Sequence, residues 1–321
     1  MINPLVSIVT PCYNGEFKIR VFLDSLLNQT YRNIELIIVN DGSTDNTEEV
    51  IFSYKDYLTE KGIKFIYIKQ DNLGVDVALN NGLKYFTGEY LMWPDSDDIL
   101  EPTNIEEMVS FLENNYDCGL VHCNAYIVDD IDNNMVLQLW DREYSDDNFN
   151  NFIEVLLWRN ILASGAWMAR GSAFLTVRPN RELEIIKEGQ NWQMLLPMVY
   201  NYKIGKIDKF LFKYVKWKSS HSRMHRTRLQ LIERVKNFAD GRISIMDNMS
   251  MDLEHRDYCY NLVRDDMNCT LFDMAYENYC IFDAVECYRN TISLKKKRKM
   301  KKRLIKLRWK LFLLKIKKII G

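Results

Sequence analysis

Residues 5–41 read LVSIVTPCYNGEFKIRVFLDSLLNQTYRNIELIIVND, and this stretch decides the fold. It opens with the apolar run Leu5–Thr10 and closes with a second run, Ile34–Asn40. Both runs are rich in β-branched residues, which suits strands that are buried on both faces. Between them, apolar residues recur at helical spacing, at Ile19, Leu23 and Leu26. The stretch therefore predicts a strand, a helix and a second strand parallel to the first.

The same alternation of strand and helix continues as far as Trp93. Lys64–Lys69 predicts a third strand, Gly74–Phe86 a helix and Glu89–Trp93 a fourth strand. Asp45 is expected to cap a further helix after the second strand, with Glu48 at the capping-box position. This order predicts an α/β fold with parallel neighbours and right-handed crossovers. In such sheets ligands bind outside the carboxyl ends of the strands.

Beyond Pro102 the pattern loosens, and strands and helices no longer alternate regularly. Extended segments are expected at Gly119–Val128, Ser164–Ala169 and Lys203–Val215. Helices are expected at residues 150–160, at Trp192–Tyr202, and from about Arg226 to Ser293. Because a strand already begins at Leu5 and no run reaches about 18 apolar residues, we expect neither a signal peptide nor a membrane span.

Charge divides the chain into two unlike parts. With 47% hydrophobic and 27% charged residues, the composition is that of a globular protein and excludes global disorder. Residues 294–321 contain 14 Lys and Arg and no acidic residue, whereas residues 1–293 contain 29 basic and 44 acidic residues. An acidic body with a basic tail indicates that the tail has a binding partner of its own.

Three polar clusters fall at the ends of predicted strands, at residues 10–14, 40–43 and 95–98. Each cluster alone has the composition of an ordinary turn. The last one, Asp95-Ser96-Asp97-Asp98, brings carboxylates together that repel one another unless a divalent cation such as Mg²⁺ or Mn²⁺ binds them. The alternative is that Asp98 caps a helix near Pro102 without any metal.

In this order, VSIVTPCYN, NQTYRNIELIIVNDGSTDNT and TGEYLMWPDSDD resemble the start of the family 2 glycosyltransferases of the GT-A fold. The resemblance extends over roughly the first 215 residues. Members of the family transfer a sugar from a nucleotide donor, usually uridine-linked, with inversion at the anomeric carbon. The resemblance implies a GT-A-type domain over residues 1–215. The residue pattern beyond it predicts a helical extension over 216–293 and a basic amphipathic tail over 294–321.

The resemblance also assigns roles to individual residues at the strand ends. It places Pro11, Tyr13 and Asp41 around the base of the nucleotide, with Asp41 bonding its polar edge. It places Asp95 at the ribose or the metal, and Asp97 on the metal. The implied cofactor is Mn²⁺ or Mg²⁺, which acts as a Lewis acid on the leaving diphosphate.

Two other segments match the family pattern in part. Asn72–Gly82 resembles the segment beneath the nucleotide, but Leu79 stands where many members have Arg, so one phosphate or base contact is expected to be missing. His221 and Arg223 follow the last predicted strand, where a segment of this fold can close over the diphosphate. His221 is a candidate metal ligand and Arg223 a candidate phosphate ligand, although a lone His is more often an ordinary surface or core residue.

The catalytic base departs from the family pattern. An inverting enzyme needs a general base to accept the proton of the acceptor hydroxyl. The family usually supplies it from a Glu-Asp pair before an aromatic residue, but here Gln190 and Asn191 precede Trp192. Since an amide is no base, Glu188 is the nearest replacement and Glu184 the second. A base outside this segment stays open, and the two amides could instead cap a helix.

The basic tail has the pattern of an amphipathic helix. Its cations form a row that includes Arg303, Lys306 and Lys310, and Leu304, Leu307, Leu311 and Leu314 share another face. Together with Trp309, this pattern favours a helix that lies on an anionic membrane. The alternatives are docking on the acidic body or on a partner protein, a disordered arm, and a nucleic-acid arm. The apolar face argues against the last two, so no nucleic acid is expected as a partner.

These observations predict a metal-dependent inverting glycosyltransferase that uses a nucleoside-diphosphate sugar. The expected acceptor is a glycan or lipid-linked glycan in bacterial-type surface polysaccharide assembly. The expected location is the cytoplasm, peripheral on the inner face of the plasma membrane. One alternative is a sugar-nucleotide-binding protein without transferase activity. Another is a nucleotidyltransferase, which would be expected to have a Gly-rich, basic loop after the first strand, where this chain has a single glycine, Gly15.

Overall fold

The computed structural model describes residues 3–130, 135–138, 144–157, 163–218 and 224–320. The chain divides into two compact units. The first comprises Met1–Ile185 and Gln190–Met224, and the second comprises Ile186–Gly189 and His225–Gly321. In the parts of the chain that are described, no helix is both long and apolar enough to cross a membrane.

The first unit is built on one sheet. Its strands are β1 (Val6–Cys12), β2 (Ile34–Asp41), β3 (Lys64–Gln70), β4 (Tyr90–Met92), β5 (Ile99–Leu100), β6 (Cys118–Asp129), β7 (Met135–Gln138), β8 (Trp167–Arg170) and β9 (Lys203–Lys216). Their spatial order is β3-β2-β1-β4-β8-β6-β9-β5, and β7 pairs with β6. This mixed α/β sheet agrees with the predicted fold class.

Helices flank this sheet and make up the second unit. Those of the first unit are α1 (Lys18–Leu27), α2 (Thr47–Ser53), α3 (Lys55–Glu60), α4 (Val75–Leu83), α5 (Asn104–Asn114), α6 (Asn148–Leu156), α7 (Gly171–Val177) and α8 (Gln190–Asn201), with a 3-10 turn at Ser164–Ala166. Those of the second unit are α9 (Arg228–Asp247), α10 (Leu253–Glu277), α11 (Ile281–Asn290) and α12 (Leu294–Ile320).

The predicted parallel core is confirmed. β1 pairs in parallel with β2 and β4, and β2 pairs in parallel with β3. All eight residues of β2 are buried, which explains its nearly continuous apolar run. On α1 the residues at helical spacing, Ile19, Leu23 and Leu26, are fully buried. This parallel core sets the carboxyl ends of β1, β2 and β4 along one edge.

Two local predictions are wrong or incomplete. β8 runs antiparallel to both β4 and β6, a reversal that the sequence pattern does not show. The capping box at Asp45 and Glu48 does not form, because α2 begins at Thr47 with Asn46 as its first flanking residue. Asp45 instead accepts hydrogen bonds from the backbone N–H groups of Glu16 and Thr47, both at 3.1 Å, and Glu48 pairs with Lys69.

The leucine face of the tail is buried within the helical unit. α10, α11 and α12 share one apolar cluster, to which α12 contributes Met300, Leu304 and Leu307. Leu311 packs against it in part, while Leu314 is 46% exposed. The expectation that this face lies on a membrane is therefore wrong for its packed residues. Packing against α10 and α11 removes the leucine side chains from water, as a membrane would have done. Such burial stabilises the fold by about 25 cal/mol per Å² of apolar surface.

Two cations of the tail also contact the helical unit. Arg303 pairs with Asp273, and its guanidinium carbon lies 5.2 Å and 4.4 Å from the ring centres of Phe272 and Tyr276. Lys310 Nζ lies 4.6 Å from the ring centre of Tyr279. Lys306 and Trp309 are exposed. The tail is therefore an integral helix of the second unit. Its exposed face contains Trp309, whereas the predicted membrane face of leucines is largely packed inside the unit.

A buried carboxylate holds the amino-terminal ends of the first strands together. Glu35 on β2 is fully buried and accepts hydrogen bonds from Ser7 on β1, from Thr87 before β4, and from Lys64 on β3, whose Nζ lies at 3.0 Å. Burial raises the pKa of Glu35, but these hydrogen bonds outweigh it and bring the pKa below its ordinary value. Glu35 lies at the amino-terminal end of β2, away from the carboxyl ends of the strands. A substitution at Glu35 should therefore change the stability of the fold without changing ligand binding.

Glu35→Gln is expected to lower the free energy of unfolding by about 2 kcal/mol at neutral pH, because it removes a charged buried acceptor. The folded-state pKa lies below the unfolded one, so the stabilisation is complete above the unfolded value of 4.5 and is lost as pH falls through the folded value. Urea unfolding at several pH values should show the difference between variant and wild type shrinking below that point. Glu60→Gln, at an exposed position, is the control, and a pH-independent difference would contradict the assignment.

Candidate active site

A cavity of about 440 Å³ opens at the carboxyl edge of β1, β2 and β4. Its walls come from three segments that follow these strands and from the loop that leads into α4. Five residues predicted for the donor or the metal line it, namely Pro11, Tyr13, Asp41, Asp95 and Asp97. The structure therefore brings together side chains that are far apart in sequence, at the edge where α/β sheets bind ligands.

The loops after β1 and β2 are held together by side chain to backbone hydrogen bonds. Asn14, in the left-handed region at φ 46°, donates its backbone N–H to Ser43 Oγ at 2.9 Å. Its side-chain oxygen accepts from the backbone N–H of Thr44 at 2.8 Å, and Gly15 N–H donates to Thr47 Oγ1 at 2.8 Å. The two loops therefore form one continuous wall of the cavity.

Asp41 orders the loop before α4. Its Oδ1 accepts from Gln70 Nε2 at 2.7 Å and from Leu73 N–H at 2.9 Å, and its Oδ2 accepts from Gly74 N–H at 2.9 Å. The next residue, Gly42, has φ +69°, and a Cβ there would lie 2.6 Å from the backbone nitrogen of Asn72. In this structure Asp41 is a positioning residue for the cavity wall, and its contact with a base stays a prediction.

Three carboxyl groups converge beside this wall. The ligand oxygens of Asp95, Asp97 and Asp98 lie within 4.8 Å of one another. Asp98 is fully buried; its Oδ1 accepts from Val215 N–H at 3.2 Å, and its Oδ2 is buried without a hydrogen-bond partner among the described residues. Burial, and after it the repulsion between neighbouring carboxylates, raises the pKa of Asp95 and Asp98.

This cluster fits a divalent cation. Its atoms are hard oxygen donors, one of them is an unsatisfied buried oxygen, and a cation would relieve the repulsion that raises the pKa values. The alternative in which Asp98 caps a helix is wrong, because α5 begins only at Asn104 and Asp98 binds the backbone of β9. Asp97 and Asp95 face the cavity, whereas Asp98 lies behind them in the core.

Two residues of the site were not predicted from the sequence. Lys18, the first residue of α1, lines the cavity with its Nζ 3.5 Å from Asp97 Oδ2 and 5.7 Å from the ring centre of Trp217. Trp217 Nε1 donates to the backbone oxygen of Asp97 at 3.0 Å. For Lys18, the only signal in the sequence was a lysine soon after the β1 loop. Its contact with Asp97 could not be predicted, because Asp97 comes close to Lys18 only through the pairing of β1 with β4.

The two candidate bases both form ion pairs. Both oxygens of Glu184 accept from Arg178 at 2.7 Å, and each side chain is 8% exposed. Glu188 belongs to the helical unit, where its Oε1 lies 3.0 Å from Arg234 Nε. α8 begins at Gln190, which puts the two amides that replace the acidic pair in its first turn.

Three further residues singled out from the sequence are not part of the described cavity lining. Leu79, at the position where many members of the resembled family carry Arg, is 6% exposed on α4 and belongs to the core. His221 and Arg223 lie outside the described residues. The described part of the site therefore consists of the strand-end loops, the acidic cluster and Lys18.

A parallel-centred α/β sheet with a carboxylate cluster at its ligand edge is the arrangement of a GT-A-type sugar-nucleotide enzyme. Residues 7–178 match the sequence profile of glycosyl transferase family 2, and since this is more than half of the chain, the chain belongs to that family of transferases.

Relatives of known sequence agree with this membership. An uncharacterized glycosyltransferase of Rickettsia typhi is 39% identical over 150 residues, which cover 46% of this chain and 45% of the relative. Glycosyltransferase GlyA of Streptococcus pneumoniae is 28% identical over 264 residues, which cover 79% of this chain and 36% of the relative. The chain thus spans less than half of the length of these relatives.

Solved structures show the same fold. TarS residues 1–349 of Staphylococcus aureus in complex with UDP-GlcNAc gives a TM-score of 0.58 at 17% identity, covering 90% of this chain and 82% of the other. Mannosyltransferase PcManGT of Pyrobaculum calidifontis in complex with GDP-Man and Mn²⁺ gives 0.57 at 15% identity, covering 97% and 87%. At these identities the likeness concerns the fold alone, and it includes helices beyond the sheet.

Proposed function

We propose that this chain transfers a sugar from a uridine diphosphate donor to a hydroxyl group of a glycan or lipid-linked glycan, with inversion at the anomeric carbon. The observation that carries the proposal is the cavity of about 440 Å³ at the strand ends, which Tyr13, Asp95 and Asp97 line together. Membership of family 2 supports it. So does the presence of UDP-GlcNAc and GDP-Man in structures of the same fold.

Asp95 and Asp97 are proposed to hold Mn²⁺ or Mg²⁺, with Asp98 as the buried neighbour. The cation would supply Lewis-acid stabilisation to the diphosphate leaving group. Tyr13, which lines the cavity and is 50% exposed, is proposed to stack its ring on the base. Asp41, by holding the backbone of Leu73 and Gly74, fixes the opposite wall.

The proton of the acceptor hydroxyl needs an acceptor, and Glu188 is proposed as this base ahead of Glu184. Both oxygens of Glu184 already accept hydrogen bonds from Arg178. A buried carboxylate with both oxygens engaged in this way is poorly placed to accept a proton from the acceptor. The ion pair of Glu188 with Arg234 is formed through Oε1. As the base, Glu188 would take the hydroxyl proton while the new bond to the anomeric carbon forms.

A thermal-shift panel tests the proposed function. Nucleotide sugars with uridine, guanosine, adenosine, cytidine and thymidine bases would be added with and without Mn²⁺, because a ligand of the native state raises the melting temperature by mass action. A shift by one base class that grows with Mn²⁺ supports the proposal. Binding without transfer to a mixed acceptor pool would favour the alternative, a sugar-nucleotide-binding protein, and the absence of any shift would reject both.

The outward face of α12 supports a membrane partner for the second unit. Ile305, Trp309, Phe312 and Leu313 are 52%, 62%, 54% and 54% exposed and recur at helical spacing, opposite the packed leucines. Lysines and arginines flank them, and the tail contains no acidic residue. Exposed aromatic and aliphatic side chains among cations are typical of a helix at the surface of an anionic bilayer. We propose this face as the contact with the cytoplasmic leaflet.

The double variant Trp309→Ala/Phe312→Ala is expected to bind vesicles containing an anionic phospholipid about tenfold or more weakly than wild type, because two rings no longer enter the interface. Vesicle sedimentation measures this, and binding of the wild type should fall with added salt. Tyr116→Ala, at an aromatic position of the first unit that is 78% exposed, is the control. Equal binding by the double variant would exclude this face. Deleting the tail is a poorer test, since it removes Met300, Leu304 and Leu307 from the apolar cluster.

A further inference from the structure

We propose that Lys18 is a ligand of the donor diphosphate and stabilises the leaving group, an inference that rests on the proposed function. Lys18 is the only cation among the described residues that line the cavity, whereas Asp41, Asp95 and Asp97 line it as acids. A diphosphate entering this cavity meets a strongly acidic wall. One divalent cation would offset part of that charge, and the Lys18 ammonium is placed to offset more.

The geometry shows an ammonium that is held near the acidic cluster without being locked to it. Its Nζ lies 3.5 Å from Asp97 Oδ2, which is long for an ion pair, and the side chains are 24% and 27% exposed. The ring of Trp217 faces the same ammonium with its centre at 5.7 Å. Trp217 also donates a hydrogen bond to the backbone oxygen of Asp97. The same indole therefore contacts both members of the ion pair, Asp97 and Lys18.

Lys18 and a divalent cation cannot both occupy the space next to Asp97 Oδ2. Before the donor arrives, the charge of the ammonium would weaken the binding of a divalent cation at Asp97. Once such a cation took its place beside Asp97, the Lys18 ammonium would face the cavity. In the transfer step the bond between the anomeric carbon and the diphosphate oxygen breaks, and its electron pair stays on that oxygen. An N–H of Lys18 donating to the diphosphate stabilises this developing charge while the acceptor oxygen bonds to the anomeric carbon and its proton passes to the base.

This arrangement predicts two effects of opposite sign for Lys18→Met. UDP affinity in the absence of metal should weaken by about tenfold to a hundredfold, the range for losing one charge-assisted hydrogen bond. Mn²⁺ affinity in the absence of nucleotide should stay the same or rise, because the competing ammonium is gone from Asp97. A lysine that only completes a structural ion pair would not weaken UDP binding.

Isothermal titration calorimetry of UDP and GDP without metal, and of Mn²⁺ without nucleotide, measures both effects on the full chain. Lys18→Arg should retain most of the nucleotide affinity, and Lys61→Met, at an exposed position outside the cavity, is the control. Thermal unfolding checks that the variants are folded. If wild type binds a nucleoside diphosphate and Lys18→Met binds it equally well, the role of Lys18 is rejected while the proposed function stands. If wild type binds neither UDP nor GDP without metal, the same comparison is made with Mn²⁺ present. If it binds neither nucleotide under either condition, the proposed function is rejected together with the role of Lys18.

Discussion

Replacing Asp97 by Asn is expected to lower sugar transfer by about 10³-fold, the largest functional loss we predict for a single residue. The carboxylate lines the cavity, contacts Lys18 and lies within 4.8 Å of two further carboxyl groups. Asn keeps its shape but offers only a neutral oxygen, so the proposed cation would lose a charged ligand. That cation would supply several kcal/mol of leaving-group stabilisation, and each 1.36 kcal/mol corresponds to a factor of about ten in rate.

Release of nucleotide from the donor identified by the thermal-shift panel gives kcat/KM, and calorimetry gives the Mn²⁺ dissociation constant. Both should change in Asp97→Asn, whereas Asp56→Asn, at an exposed position on α3, should change neither. Unaltered Mn²⁺ binding by the Asp97 variant would remove this residue from the metal site, even if transfer were slower.

Glu188→Gln is expected to lower turnover by about 10²-fold or more, the usual scale for losing a general base, with donor affinity close to that of wild type. Gln keeps the size of the side chain and most of its hydrogen bonds, but it cannot accept the proton. Single-turnover measurements at saturating donor isolate this step from binding. Turnover near that of wild type would exclude Glu188 as the base.

Glu184→Gln supplies the contrast. Because Arg178 and Glu184 are both 8% exposed, the variant leaves a buried guanidinium without its counter-charge, at a cost of about 3 kcal/mol or more in the free energy of unfolding. The expected result is a lower unfolding midpoint in urea. A stable Glu184→Gln protein that turns over slowly would instead favour Glu184 as the base.

The parallel core and its ligand edge were predictable because the determining signals are local. Runs such as Leu5–Thr10 and Ile34–Asn40 are apolar throughout, which is what burial on both faces of a sheet requires. The alternation of strands and helices then fixes where their carboxyl ends lie. Asp41 and Asp95 could therefore be placed at one edge from the sequence, although the hydrogen bonds of Asp41 to the loop before α4 could not.

Contacts that depend on the pairing of strands far apart in the sequence could not be predicted from local residue patterns. β8 inserts antiparallel between β4 and β6, and nothing in Trp167–Arg170 itself indicates its direction. Lys18 reaches Asp97 only because β1 and β4 are neighbours in the sheet. At Asp45, one carboxylate oxygen accepts from the backbone N–H of Glu16 in another loop and the other accepts from Thr47, and the capping pattern indicates only a contact within its own segment.

The tail shows the limit of an amphipathic pattern. Spacing indicates that Leu304, Leu307 and Leu311 leave water together, but it does not say against what. In the structure the nearest apolar surfaces, on α10 and α11, cover them. Ile305, Trp309, Phe312 and Leu313 form a second apolar group on the other side of the helix, and the spacing of the leucines alone does not indicate that this group stays exposed.

Because α12 is anchored through Met300, Leu304 and Leu307, its residues have given up their conformational entropy by the time the second unit is folded. A disordered arm would lose that entropy at the surface, at about 1–2 kcal/mol for each backbone residue that becomes ordered. In the proposed membrane contact, α12 would reach the bilayer as an already folded helix. Attachment would then require only a small net attraction, would stay reversible as lipid composition changes, and would leave the helix content seen by circular dichroism as it was in solution.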